Sequence, residues 1–164
     1  MPTDLVGLLR RDHNDLERGL AELLDPAATI AEIRSTLDGV RLGLTAHAEA
    51  EDIVLYRAAR RSPQLEDLVA QARAAHLAQE GALASLVCTA PGSSAWRDRA
   101  LVLRRLVHEH ARHEEDVLMP AFRALAQDDV YPRLAGAFAT ERLRQLAMLQ
   151  PSAPIVVADL ARAS

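Results

Sequence analysis

The spacing His-x-x-x-Glu occurs four times in this 164-residue chain, at His13–Glu17, His47–Glu51, His76–Glu80 and His110–Glu114, and takes four of its six histidines. Residues four apart on a helix stand one turn above each other on the same face, so each pair aims an imidazole and a carboxylate in one direction. Neutral imidazole ligates iron, copper, zinc or nickel, and carboxylates bridge ions and offset their charge. A single pair of this kind is usually a solvated helical pair worth ~0.2–0.5 kcal/mol. Four pairs, each flanked by apolar residues, carry a desolvation cost that only a bound metal offsets.

The copies are in register, because 63 added to 13, 17, 47 and 51 gives 76, 80, 110 and 114. Apolar positions keep the same shift, with Leu5 over Leu68, Val6 over Val69, Leu20 over Leu83, Leu23 over Leu86 and Leu55 over Leu118. The chain therefore reads as two helical hairpins with equivalent motifs. Eight candidate donors exceed the needs of one ion, so the expectation is a dinuclear site bridged by Glu51 and Glu114 and capped by histidines. The expected ligands are His13, His47, Glu51, His76, Glu80, His110 and Glu114. Glu17 is left out as the surface partner of His13. His108 lies about 200° around the helix from His110 at 100° per residue and is read as surface, whereas His113 is closer in angle to His110 and a role beside the ligands or at a pocket mouth is the lesser reading for it.

The elements that must carry these residues are helices, since apolar residues recur at three and four and alternating β-branched runs are missing. Thr3 is the expected cap of a first helix reaching about Leu24, where Asp25-Pro26 ends it. A second helix starts at Thr29 with Glu32 as a capping box and runs to about Arg61. Ser62 and Pro63 open a third, reaching about Val87. After the loop Thr89–Ser94, a fourth carries the segment His108–Asp116 and continues past Pro120, with a kink expected just beyond Glu114. A fifth follows Asp129 to about Leu149. The expected fold is all-α, an up-down-up-down four-helix bundle over residues 1–127, with a C-terminal helix and tail over 128–164 packed on it as part of the same domain.

Composition narrows the functions. The chain is 49% hydrophobic and 26% charged with a net charge of −4, which suits one globular domain and lacks the basic blocks of a nucleic-acid or acidic-membrane surface. No leader pattern or membrane-length apolar run is visible, so a cytoplasmic location is expected. The lone Cys88 excludes an internal disulfide and cysteine-based metal cages. The apolar tail segment Ile155–Leu160 is expected to pack on the bundle or to recruit a protein partner.

At these residues the chain resembles the hemerythrin-like, or HHE cation-binding, domain from Leu5 to about Leu125. The carried pattern is a lone histidine on the first helix (His13), His-x-x-x-Glu on the second (His47, Glu51), a histidine on the third (His76) and His-x-x-x-Glu on the fourth (His110, Glu114). Val117-Leu-Met-Pro120 is similar to the family's ending of helix four. The resemblance implies two iron ions in an oxo- or hydroxo-bridged di-iron centre, with one open position for O2 or a related small ligand.

Oxygen-carrying members have a second histidine where Glu80 stands, and an aspartate one residue later than Glu114. A carboxylate in place of a neutral ligand favours ferric iron, which shifts the expectation from carrying O2 to reacting with it. The leading reading is thus a di-iron protein that binds or consumes O2, peroxide or nitric oxide. Whether it turns over as an enzyme is left open. The alternatives are iron handling or storage, and a metal-dependent sensor module without turnover.

Overall fold

Local capping sets the helix boundaries in the computed structural model, which describes residues 4–127 and 129–150. Thr3 lies outside these residues, and Asp4 caps α1 (Leu5–Leu23) by accepting from the Val6 N–H at 3.3 Å. Thr29 and Glu32 form the expected capping box at the start of α2, whose α-helical part spans Ile30–Ala50. Ser62 makes no side-chain cap. Instead Pro63–Leu65 forms a 3-10 turn leading into α3 (Glu66–Val87), which ends at the exposed Cys88. Ser93 caps α4, whose first part spans Ser94–His113, by accepting from the Trp96 N–H at 3.1 Å. The last helix, α5, spans Val130–Leu149.

Two of these helices change pitch where the chemistry sits. α2 passes through a π-helical turn at Glu51–Tyr56 before ending with Arg57–Ala59, and α4 passes through one at Glu114–Leu118 before continuing as Met119–Leu125. The disturbance expected beyond Glu114 therefore takes the form of a π-helical turn. Pro120 does not explain it, because Arg57 occupies the equivalent repeat position in α2 and follows the same kind of turn. Such turns occur often at functional sites.

The fold is all-helical, with no strand among the described residues. α1 packs on α2 and α4, α3 packs on α4 and touches α2, and α5 lies against α2 and α1. The apolar core divides into two clusters. One holds Leu5, Leu9, Leu55, Val69, Leu118 and Phe138, and the other holds Leu16, Leu20, Leu44, Leu83, Leu103 and Val107. Along α1 the first cluster ends at Leu9 and the second begins at Leu16, so His13 falls between them. His47, His76 and His110 interrupt their helices in the same way. The repeat pairs Leu20/Leu83, Leu23/Leu86 and Leu55/Leu118 are buried throughout. No described helix is long and apolar enough to cross a membrane.

Candidate metal centre

His13, His47, Glu51, His110 and Glu114 converge in the layer between the two apolar clusters, with one ligand atom from each lying within 4.8 Å of all the others. All five are buried, and the two carboxylates are 0% exposed. His47 Nε2 lies 3.0 Å from Glu51 Oε1, and His13 Nε2 lies 3.5 Å from Glu114 Oε2. None of these four atoms is aligned with a hydrogen-bond partner in the protein. Buried polar atoms are almost always satisfied, so four convergent exceptions on two imidazoles and two carboxylates mark a cluster that could hold a metal ion. His76 joins the layer from α3, with Nε2 3.0 Å from both Glu51 Oε2 and His110 Nε2.

The outward nitrogens of two histidines are held by carboxylates. His13 Nδ1 lies 2.8 Å from Glu115 Oε1, and Arg10 in turn holds Glu115 at 2.9 Å. His47 Nδ1 lies 3.3 Å from Asp12 Oδ2, which also pairs with Arg142 of α5. Such partners fix ring orientation and raise ligand basicity. The Phe138 ring, also from α5, meets the His47 ring edge-on at 6.0 Å.

Charge in this layer is strongly coupled. Burial pushes the His47 pKa down, but the Glu51 carboxylate, with help from Asp12 and Glu114, pushes it up to about 10. For His13 burial is likewise outweighed, by the adjoining Glu114 carboxylate and by Glu51, and its pKa rises. Burial pushes Glu51 up, and the surrounding histidines, His47 foremost, hold it well below the usual carboxylate range. Without a metal, the raised pKa values of His13 and His47 favour protons there that offset the buried carboxylates.

Glu80 is not brought to this layer. It is exposed in a groove between α2 and α3, and the buried residue beside it is Gln79, whose side-chain amide donates to the Leu106 carbonyl at 3.4 Å. His76 already stands at the edge of the buried face, and four more residues overshoot a full helical turn by about 40°, here toward solvent. The charge argument that rested on Glu80 as a ligand therefore loses its carboxylate. Glu17 also faces outward, pairing with His108 at 3.0 Å and Arg104 at 3.3 Å across the α1–α4 boundary rather than with His13. His108 is on the surface as expected, and His113 is half-buried with no role in the cluster.

Tyr56, Asp12 and Glu115 escaped the sequence reading. Tyr56 is fully buried, its hydroxyl donating to Glu114 Oε1 at 2.5 Å and lying 3.3 Å from Glu51 Oε2. At 100° per residue, a side chain five positions beyond Glu51 points about 140° away. The π-helical turn, with its i to i+5 hydrogen bonding, brings the two together. Burial, with the charges of Glu114 and Glu51, keeps the phenol pKa well above its ordinary value, so Tyr56 remains a donor. Asp12 and Glu115 sit next to motif residues; the 63-residue shift puts Ala75 opposite Asp12, which carries no signal, and Asp52 opposite Glu115, an acidic match that does not say which histidine the carboxylate meets.

An all-helical fold with a buried histidine and carboxylate cluster, supplied by separate helices and left with unsatisfied polar atoms, defines a helical protein with a site that could hold a metal. Residues 4–122 match the family model of the hemerythrin HHE cation-binding domain, and the chain belongs to that family. Comparison with curated proteins and with solved structures gives no match.

Proposed function

We propose that this protein is a non-haem di-iron protein that binds or reacts with a small oxidant, namely O2, peroxide or nitric oxide. The carrying observation is the pair of fully buried carboxylates, Glu51 and Glu114, among imidazoles from α1 to α4, each with one oxygen that no aligned protein donor satisfies. His13, His47, His76, His110, Glu51 and Glu114 would hold the metal. Two carboxylates and four imidazoles suit iron and are more donors than one ion needs. An up-down-up-down order of α1 to α4, with α5 in the same domain, accords with a site assembled this way; the tail segment Ile155–Leu160 lies outside the described residues.

Iron held there would supply a redox couple and a Lewis acid for a small ligand. The chain's own groups prepare the site for it. Glu115 and Asp12 accept from Nδ1 of His13 and His47, so that each Nε2, once a metal displaces its proton, would present its lone pair to the cluster. The Tyr56 hydroxyl donates to Glu114 Oε1 and lies near Glu51 Oε2, so it restrains the pair. The apolar clusters on either side keep bulk water from the layer and strengthen every electrostatic interaction within it.

The test is elemental analysis of the protein as purified, with its ultraviolet-visible spectrum. About two iron ions per chain with near-ultraviolet charge-transfer bands are expected, as for other di-iron helical bundles. Catalytic O2 evolution from added peroxide would make the activity enzymatic, and spectral change without turnover would make it ligand binding. No metal uptake even after anaerobic loading with ferrous iron would overturn the reading.

A further inference from the structure

The six candidate ligands are not equally enclosed. The side chains of His13, His47 and His110 are 2–4% exposed and those of Glu51 and Glu114 are 0% exposed, whereas His76 is 12% exposed. His76 lines a groove of about 530 Å³ between α2 and α3. That volume has room for many molecules of water size, whose share of liquid volume is about 30 Å³. Its walls beside His76 include the small residues Ala48 and Ala74, so narrow ligands meet little steric bulk on the way in.

The charges around the groove are mainly negative. Glu49, Asp52 and Glu80 line it against a single cation, Arg73, whose guanidinium is engaged by Asp52 at 2.6 Å. Glu49 and Glu80 are exposed. Carboxylates at the mouth of a cleft raise the local concentration of cations and lower that of anions, within a screening length of about 10 Å at 0.1 M salt. Uncharged molecules are indifferent to this field.

We propose that the α2–α3 groove is the port through which small ligands reach the metal layer at His76, and that Glu49 and Glu80 make it selective for uncharged oxidants over anions. The proposal rests on the di-iron reading above. Glu80 thus acts on what reaches the site and not as a ligand within it. The chemical class favoured is the neutral diatomic or neutral peroxide.

Stopped-flow association of azide with the oxidised protein and of nitric oxide with the reduced protein tests this, after elemental analysis has established iron content. In the double variant Glu49→Gln/Glu80→Gln the azide rate should rise, by up to about tenfold at low ionic strength, and converge on wild type in high salt. The nitric oxide rate should not change. In Ala74→Phe, and separately in Ala70→Phe on the same wall, both rates should fall several-fold with iron content unchanged.

Unchanged rates in iron-replete phenylalanine variants would overturn the port. An azide rate that does not rise in the glutamine variant, or a nitric oxide rate that rises equally, would overturn the selectivity. The glutamine substitutions lie on the surface, so that arm decides even if a phenylalanine variant fails to fold. A wild-type protein that holds no iron fails at the first step, which identifies the di-iron reading as the one at fault.

Discussion

The Tyr56 hydroxyl spans from α2 to α4 and donates a 2.5 Å hydrogen bond to Glu114 Oε1. It joins the two buried carboxylates, since the same hydroxyl lies 3.3 Å from Glu51 Oε2. Replacing Tyr56 by Phe keeps the ring and removes only this donor. Partners of this kind typically contribute 10- to 100-fold in metal affinity, and a loss of about that size is expected in Tyr56→Phe by chelator competition. Wild-type affinity in the variant would show that the bond is incidental.

Glu80 and Glu114 share the same sequence motif but have opposite surroundings, one exposed and one fully enclosed. Glu80→Gln should retain the wild-type metal content. Glu114→Gln should lower metal content and, with it, the stabilisation that metal confers on the folded state. Elemental analysis and thermal melts of both variants, with and without added ferrous iron, check the contrast. Loss of metal in Glu80→Gln would restore that residue as a ligand.

The metal-free protein should be stable in a bounded pH window. His47 is raised from 6.5 to about 10 on folding, so its contribution is complete below 6.5 and is lost as pH rises through about 10. Glu51 is depressed below 4.5, so its contribution is present above 4.5 and is lost as pH falls through its lower folded value. Metal must displace the His47 proton, so apparent metal affinity should rise with pH, by about tenfold per unit for each proton displaced. Thermal melts of the metal-free protein across pH, and proton release on metal addition in weak buffer, measure the two effects. Metal uptake without proton release would contradict the assignment of a protonated His47.

Arg142 lies beyond the matched residues 4–122, yet it pairs with Asp12, the carboxylate that holds His47. Arg142→Ala should free Asp12 and loosen His47. A fall of about tenfold in metal affinity is expected, with partial recovery in Arg142→Lys. The metal-free melting temperature should change little, because the arginine is partly exposed and such pairs contribute ~0–1 kcal/mol. Equal losses in metal-free stability and metal affinity would point to a purely structural role.

The sequence alone determined that the chain is helical, where the helices break, and that a polar layer of histidine and glutamate interrupts the apolar stripe of each of the first four. These are local properties, set by caps such as Thr29 with Glu32, by breakers such as Asp25-Pro26, and by apolar period and repeat register. Spacing of four also fixes the relative direction of two side chains on one helix. It does not fix where both point, because that depends on how each helix is rotated against its neighbours. Hence four equivalent glutamates divided in the tertiary structure, with Glu51 and Glu114 enclosed, Glu17 half-buried against His108 and Arg104, and Glu80 exposed. Hence also Asp12 and Glu115 met their histidines only through packing between helices. Tyr56 reached the carboxylates through a π-helical turn, a change of pitch that an α-helical period cannot express.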